Sequence, residues 1–135
     1  ATALVYRGDD GIDKLTTTGH SHIWEVSRGF VTEHDLDPAD LGIPRADIQS
    51  LLGADAAHNA SVARAVLAGE PGPVRDVVLL NAAGGLAAYE LSREPELLQE
   101  PIVQRLATQL ERAASVIDSG AASAKLDEWV AATNR

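Results

Sequence analysis

The sequence predicts an α/β fold in which the strands come first and the helices follow. A short apolar run over residues 3–6 is typical of a buried strand, and residues 20–36 carry β-branched and aromatic side chains on both sides of a glycine, which predicts a hairpin. From residue 55 onwards, apolar side chains recur at helical spacing. Strands followed by helices give the chain the appearance of an α+β unit, or of a piece of an α/β domain.

Composition limits the classes of function. The chain has 135 residues, the length of one domain, and a net charge of -9. This charge argues against non-specific nucleic-acid binding and against anionic membrane surfaces, because both need basic residues. The sequence contains no cysteine, which excludes disulfides, thiolate nucleophiles and cysteine zinc sites. We therefore expect a cytoplasmic protein with no nucleic-acid or membrane partner.

An acidic segment, residues 8–14, follows the first predicted strand and carries Asp9, Asp10 and Asp13. Carboxylates this close repel one another unless a cation or a hydrogen-bond donor relieves them. Mg²⁺ is usually held by one or two carboxylates together with substrate phosphates. The segment is therefore interpreted either as the metal side of a phosphate site or as a solvated acidic turn.

The predicted hairpin has its two-residue loop at positions 28–29. This register places His22 opposite Asp35 and Trp24 opposite Glu33, and we expect His22 to pair with Asp35. His34 then lies on the other face, away from His20 and His22. Two histidines without a third protein ligand make a poor zinc site, so the pattern favours partly exposed strand histidines.

The helical half begins with short elements. Residues 37–42 predict a turn or a single helical turn, and residues 44–52 predict a short helix that starts at Pro44 and ends at Gly53. Asp55 is the predicted cap of a longer helix that continues to Ala68. The apolar positions expected on that helix are Ala60, Ala63, Val66 and Leu67.

The most apolar segment, residues 73–89, predicts a core helix, because its apolar residues surround the helix axis. A strand over residues 77–80 is the alternative, since a short apolar run fits either element. The side chains expected to be nearly inaccessible are Val77, Leu80 and Ala83. Small residues at 82–85 predict a close approach of another backbone, and Asn81 is expected to be a hydrogen-bonded buried side chain.

Two further helices are predicted over residues 101–119 and 121–132. The inward-facing positions expected on the first are Leu106, Leu110, Ala113, Ala114 and Ile117. Those expected on the second are Leu126, Trp129 and Val130.

Five segments together resemble one family. They are residues 11–19, the hairpin, the Gly-x-x-Gly-Pro-Val-Arg-Asp stretch at 69–76, Leu-Leu-Asn-Ala-Ala at 79–83 and Ile-Asp-Ser-Gly at 117–120. In this order and spacing they resemble the C-terminal part of anthranilate phosphoribosyltransferase, an enzyme of tryptophan biosynthesis. The resemblance implies that residues 1–135 are a single partial domain, taken from a large α/β domain with a mostly parallel sheet that nucleoside phosphorylases share. The family's N-terminal helical domain and its phosphate-binding loop would then be absent from this chain.

The resemblance also implies a reaction for the full-length parent. The amine of anthranilate displaces pyrophosphate from phosphoribosyl pyrophosphate (PRPP) at the anomeric carbon, with Mg²⁺ on the leaving group. The parent is expected to be a homodimer, and the 135 residues alone are expected to be inactive. Two alternatives stay open, which are a divergent phosphoribosyltransferase or nucleoside phosphorylase relative with another acceptor, and a non-catalytic interaction module.

The resemblance assigns few residues. Asp13 matches the aspartate of the family's Gly-Leu-Asp-Glu metal motif and is the expected metal ligand. Lys14 stands where the family has a metal-binding glutamate. Since a cation does not ligate Mg²⁺, two interpretations of Lys14 stay open: it contacts pyrophosphate as a point charge, or it reflects sequence drift in an inactive piece. No catalytic residue is expected within this chain.

Overall fold

The computed structural model describes residues 1–134, in which a three-stranded sheet precedes the helices. The strands are β1 (Ala3–Gly8), β2 (Ser21–Ser27) and β3 (Phe30–Leu36), and they form an antiparallel sheet in the order β1-β2-β3. The helices are α1 (Ala56–Leu67), α2 (Pro73–Arg93), α3 (Ile102–Asp118) and α4 (Ala121–Thr133). Short 3₁₀ turns lie at Pro38–Leu41, Ile48–Leu51 and Pro95–Gln99. The predicted order of strands and helices is confirmed.

The hairpin register is also confirmed. Arg28 and Gly29 both have positive φ, 52° and 84°, which suits a two-residue turn whose twist matches the flanking strands. His22 lies opposite Asp35 in the ladder. Because side chains alternate along a strand, this register places His34 on the opposite face from His22.

Two predictions near the sheet are wrong. The first strand is half exposed rather than buried, because it forms an edge of the sheet. The helix predicted over residues 44–52 is reduced to the 3₁₀ turn Ile48–Leu51. Its expected first residues are extended, since the Ala46 amide donates to the Thr17 carbonyl at 2.9 Å, and the Asp47 side chain caps the turn by accepting from the Gln49 amide at 2.9 Å.

Helix α2 packs its buried face against the sheet and α3. Leu80 and Ala83 are fully buried there, as predicted. Gly84 allows a close approach, because a Cβ at that position would lie 3.2 Å from Leu15, but the approaching group is a side chain and not the predicted backbone. Val77 is half-buried, so the prediction that it is nearly inaccessible is wrong. The described elements cover one side of α2 and leave Val78 on the other side exposed.

The outer helices are less covered than their sequences predict. Asp55 caps α1 as expected, accepting from the His58 amide at 2.8 Å. Val66 is buried, but Ala60 and Ala63 are exposed. The predicted stripe on α3 is confirmed, with its members buried or half-buried. In contrast, Trp129 on α4 is 67 % exposed, and the predicted inward positions of Trp129 and Val130 are wrong.

The apolar faces of α1 and α4 are exposed for the same reason: no described element packs over them. A groove of about 420 Å³ lies between the 3₁₀ turn at Ile48–Leu51, α1 and the start of α2, and apolar side chains line most of it. Among the described residues 1–134, no helix is long and apolar enough to cross a membrane.

Candidate functional site

The acidic segment forms a tight loop at the end of β1. The Gly8 amide donates to the Ile12 carbonyl at 3.0 Å, and Gly11 has a φ of 85°, a conformation that favours glycine. A side chain at position 8 would not fit, since its Cβ would lie 2.4 Å from Asp10 Oδ1 and 2.9 Å from Thr16 Cβ. The glycines therefore let this loop fold against the threonine stretch that follows it.

Asp10 is the carboxylate that organises the loop. Its Oδ2 accepts from the hydroxyls of Thr16 and Thr18, each at 2.7 Å, and its Oδ1 accepts from the Ile12 amide at 3.1 Å. Partial burial raises the pKa of Asp10, but the hydrogen bonds from Thr18, Thr16 and Ile12 outweigh it, so the pKa lies below its ordinary value. Asp10 is thus an ionised carboxylate whose oxygens already have partners.

Asp13 differs from Asp10 in both exposure and partners. Its side chain is 87 % exposed, and Oδ1 accepts a hydrogen bond from Lys14 Nζ at 2.5 Å. That hydrogen bond, with the charge of Lys14, lowers the pKa of Asp13. The two residues that the sequence singles out therefore lie together at the surface of the loop, as one anion and one cation.

The residue after Lys14 is held by the core helix. Asn81 of α2 accepts from the Leu15 amide at 3.0 Å and donates to the Leu15 carbonyl at 2.9 Å. Its Nδ2 also donates to the Val77 carbonyl at 2.9 Å. Asn81 is hydrogen-bonded as expected, with the loop backbone as its partner, but it is half-buried and not buried.

The donor set suits a metal only in part. Within residues 1–134, no three His, Asp or Glu side chains come together in a way that could hold a metal ion. The oxygens of Asp10 are engaged, and the other carboxylates of the loop, Asp9 and Asp13, are exposed. Of these two, Asp13 is the one that the resemblance assigns to the metal. These residues fit an ion that substrate phosphates complete, and they do not fit a site built from protein ligands alone.

The hairpin histidines form hydrogen bonds with carboxylates of the neighbouring strand. His20 Nδ1 lies 2.8 Å from Asp35 Oδ2, and this hydrogen bond raises the pKa of His20. His22 hydrogen-bonds with Glu33 at 3.0 Å, so the predicted pairing of His22 with Asp35 is wrong. Residues that lie diagonally across neighbouring strands are within reach of long side chains. His22 bonds to its diagonal neighbour Glu33 and not to Asp35, the residue directly opposite.

Sequence reasoning missed a buried ion pair between β2 and α3. Glu25, 1 % exposed, accepts two hydrogen bonds from Arg105 at 2.6 and 2.9 Å, and its Oε2 also contacts His34 Nε2 at 3.0 Å. Burial raises the pKa of Glu25. The contacts with Arg105, followed by those with His34, lower it by more, so the pKa lies below its ordinary value. The alternation of side chains along β2 could have predicted that Glu25 is buried, because it places Glu25 on the same face as buried Ile23.

Comparison with known proteins gives a consistent family. A family model described as "Glycosyl transferase family, a/b domain" matches residues 1–123. The chain is 68 % identical over 133 residues to an anthranilate phosphoribosyltransferase from Leifsonia xyli, a match that covers 98 % of this chain and 38 % of that protein. The chain therefore spans well under half the length of this curated relative.

Solved structures share the fold. An anthranilate phosphoribosyltransferase from Thermus thermophilus superposes with a TM-score of 0.77 at 32 % identity, over 97 % of this chain and 35 % of that one. An anthranilate phosphoribosyltransferase from Saccharomyces cerevisiae, in complex with PRPP and Mg, superposes with a TM-score of 0.76. It is 19 % identical and covers 93 % of this chain and 33 % of that one, so the likeness concerns the fold alone.

Proposed function

The chain belongs to the family described as "Glycosyl transferase family, a/b domain". We propose that it forms part of an anthranilate phosphoribosyltransferase. The observation that carries the proposal is the 68 % identity over 133 residues to the Leifsonia xyli enzyme of that name. The proposed reaction joins the amine of anthranilate to the anomeric carbon of PRPP and releases pyrophosphate, a step of tryptophan biosynthesis.

In this proposal the loop at the end of β1 faces the pyrophosphate. Mg²⁺, when bound, neutralises charge that develops on the leaving group. Asp13 would be its carboxylate ligand, which the high exposure of that side chain and its low pKa support. Lys14 would place its ammonium near the phosphate oxygens as a point charge. The contact between Asp13 and Lys14 places both charges at the exposed surface of the loop.

The size of the relatives bears on the organisation of the enzyme. Since the chain spans 38 % of the Leifsonia xyli protein, we propose that the rest of a full-length enzyme supplies the phosphate-binding loop and the anthranilate site. The open apolar faces of α1, α2 and α4 support this division, because exposed apolar surface usually marks a place where another segment packs. A homodimeric parent and a cytoplasmic location belong to the same proposal.

The test is an assay of acceptor choice with the full-length protein. With PRPP and Mg²⁺ present, anthranilate should be converted to its phosphoribosyl derivative, and other aromatic amines should react much more slowly. The 135-residue chain, assayed beside it, should give no product. Preference for another amine or for a nucleoside would overturn the proposed acceptor, and turnover by a homogeneous 135-residue sample would overturn the proposed division of the site.

A further inference from the structure

Two side chains that neither the resemblance nor the comparisons assign a role hold the loop that carries Asp13 and Lys14. We propose that Asp10 and Asn81 are positioning residues, which fix this loop so that Asp13 and Lys14 meet magnesium pyrophosphate in one arrangement. The inference rests on the proposed function and extends it to residues that do not touch the ligand.

Asn81 fixes the end of the loop. It binds both backbone groups of Leu15, with N–O distances of 3.0 and 2.9 Å, in the way that a neighbouring strand would. The Leu15 side chain is fully buried and packs closely at Gly84 of the same helix. Lys14 is therefore joined to a residue whose backbone and side chain are both anchored on α2. Only an amide of this length supplies one acceptor and one donor to the same residue, since aspartate lacks the donor.

Asp10 fixes the other side of the loop. Through Oδ2 it binds the hydroxyls of Thr16 and Thr18, and through Oδ1 it binds the Ile12 amide. One carboxylate thus joins the part of the loop before Asp13 to the stretch after Lys14. Hydrogen bonds to an ionised acceptor are stronger than neutral ones, so these contacts suit a rigid support.

This arrangement divides the work between two carboxylates of one loop. Asp10 is committed to three donors, and Asp13 has a single lysine partner and an exposed side chain. Rigid support matters because groups that hold a ligand in place typically alter metal affinity or activity by about 10- to 100-fold when removed. Asp13 is the carboxylate of this loop that the resemblance assigns to the metal, so the geometry of the loop around it should matter strongly.

The experiment uses the full-length protein and isosteric variants. Asp10→Asn removes one carboxylate oxygen, and Asn81→Asp removes the donor to the Leu15 carbonyl. Affinity for pyrophosphate is measured by calorimetric titration in the presence of Mg²⁺. Hydrogen–deuterium exchange is measured at the Ile12 and Leu15 amides, which donate to Asp10 and Asn81 respectively. We expect affinity to fall roughly 10-fold or more in each variant and exchange of the two amides to accelerate.

Three comparisons make the result decisive. Asp55→Ala removes a carboxylate that caps α1 outside the loop, and it should lower thermal stability while leaving pyrophosphate affinity unchanged. Asp13→Ala should weaken binding; if it does not, both the proposed metal role and the positioning role fail. If Asp13→Ala weakens binding and the variants at Asp10 and Asn81 bind normally, the positioning inference alone is wrong. Because the two variants lie in different elements, a folding failure in one leaves the other as the test.

Discussion

At the scale of single residues, three carboxylates show how the surroundings set the role of one chemical group. Asp13 is exposed and beside a lysine, Asp10 accepts three hydrogen bonds, and Glu25 is buried against Arg105. All three have a pKa below the ordinary value, but for different reasons. The first lies at the surface in contact with Lys14, the second holds a loop together through three hydrogen bonds, and the third joins a strand to a helix.

The charge at position 14 should set the magnesium requirement of the full-length enzyme. Lys14→Glu replaces a positive charge, which repels Mg²⁺, with a potential ligand. The Mg²⁺ concentration for half-maximal rate should therefore fall by about 3- to 10-fold, the effect of a charge interaction near 1 kcal/mol. Asp13→Ala should raise it. Lys125→Glu, which makes the same change of charge on exposed α4, should have no effect because distant surface charges are screened. An unchanged magnesium dependence in Asp13→Ala would identify the loop as a solvated acidic turn.

The buried pair of Glu25 and Arg105 should be costly to break. Arg105→Ala leaves a buried carboxylate without its bidentate partner and should lower the free energy of unfolding by about 3–5 kcal/mol in urea titrations. Arg28→Ala, which breaks the exposed pair with Glu96, should cost under about 1 kcal/mol. Similar losses in the two variants would show that the buried pair adds nothing beyond a surface contact.

The pH dependence of this pair has a definite sign. The folded-state pKa of Glu25 lies below its ordinary value of 4.5, so its ionised form stabilises the fold fully above the unfolded-state pKa. That contribution is lost as the pH falls through the folded-state pKa. The difference in stability between wild type and Arg105→Ala should therefore be larger at neutral pH than in acid.

At the scale of elements, α2 links the core to the candidate site. One helix carries the buried residues Leu80 and Ala83, the close contact at Gly84 and the side chain of Asn81. The loop at the end of β1 is therefore anchored on the helix with the largest number of buried residues in the described chain. Packing defects in α2 should reach the loop through Leu15.

Truncation within α2 tests how central this helix is. Leu80→Ala should lower the free energy of unfolding by about 2–5 kcal/mol, because Leu80 is fully buried and its removal leaves a cavity. Val78→Ala, on the exposed side of the same helix, should cost less than about 1 kcal/mol. The measurement is chemical denaturation of both variants. A loss below about half a kcal/mol for Leu80→Ala would mean that α2 is peripheral to the fold.

At the scale of the whole molecule, charge and apolar exposure describe different surfaces. The chain has a net charge of -9, and its helices α1 and α4 keep apolar side chains in contact with solvent. The large exposed apolar side chains include Phe30, Val31, Leu52, Tyr89 and Trp129. Surfaces of this kind usually pack against another segment or chain, which agrees with the proposal that a longer polypeptide completes the domain.

The sequence by itself determined the elements whose signals are local. The register of the hairpin follows from the two-residue turn and the alternation of side chains, because a slip of one position would exchange the two faces. The start of α1 follows from Asp55, and the buried stripe of α3 follows from helical spacing. The resemblance to the family, and the expectation that Asp13 is a metal ligand, also came from the residues alone.

The tertiary structure decided everything that depends on partners distant in the chain. Glu25 and Arg105 are 80 positions apart, and Leu15 and Asn81 are 66 apart, so no local pattern pairs them. Trp129 carries the helical spacing of an inward residue, yet no described element covers it. Periodicity states which residues can be buried, whereas burial itself depends on what packs against them, and that is a property of the assembled fold.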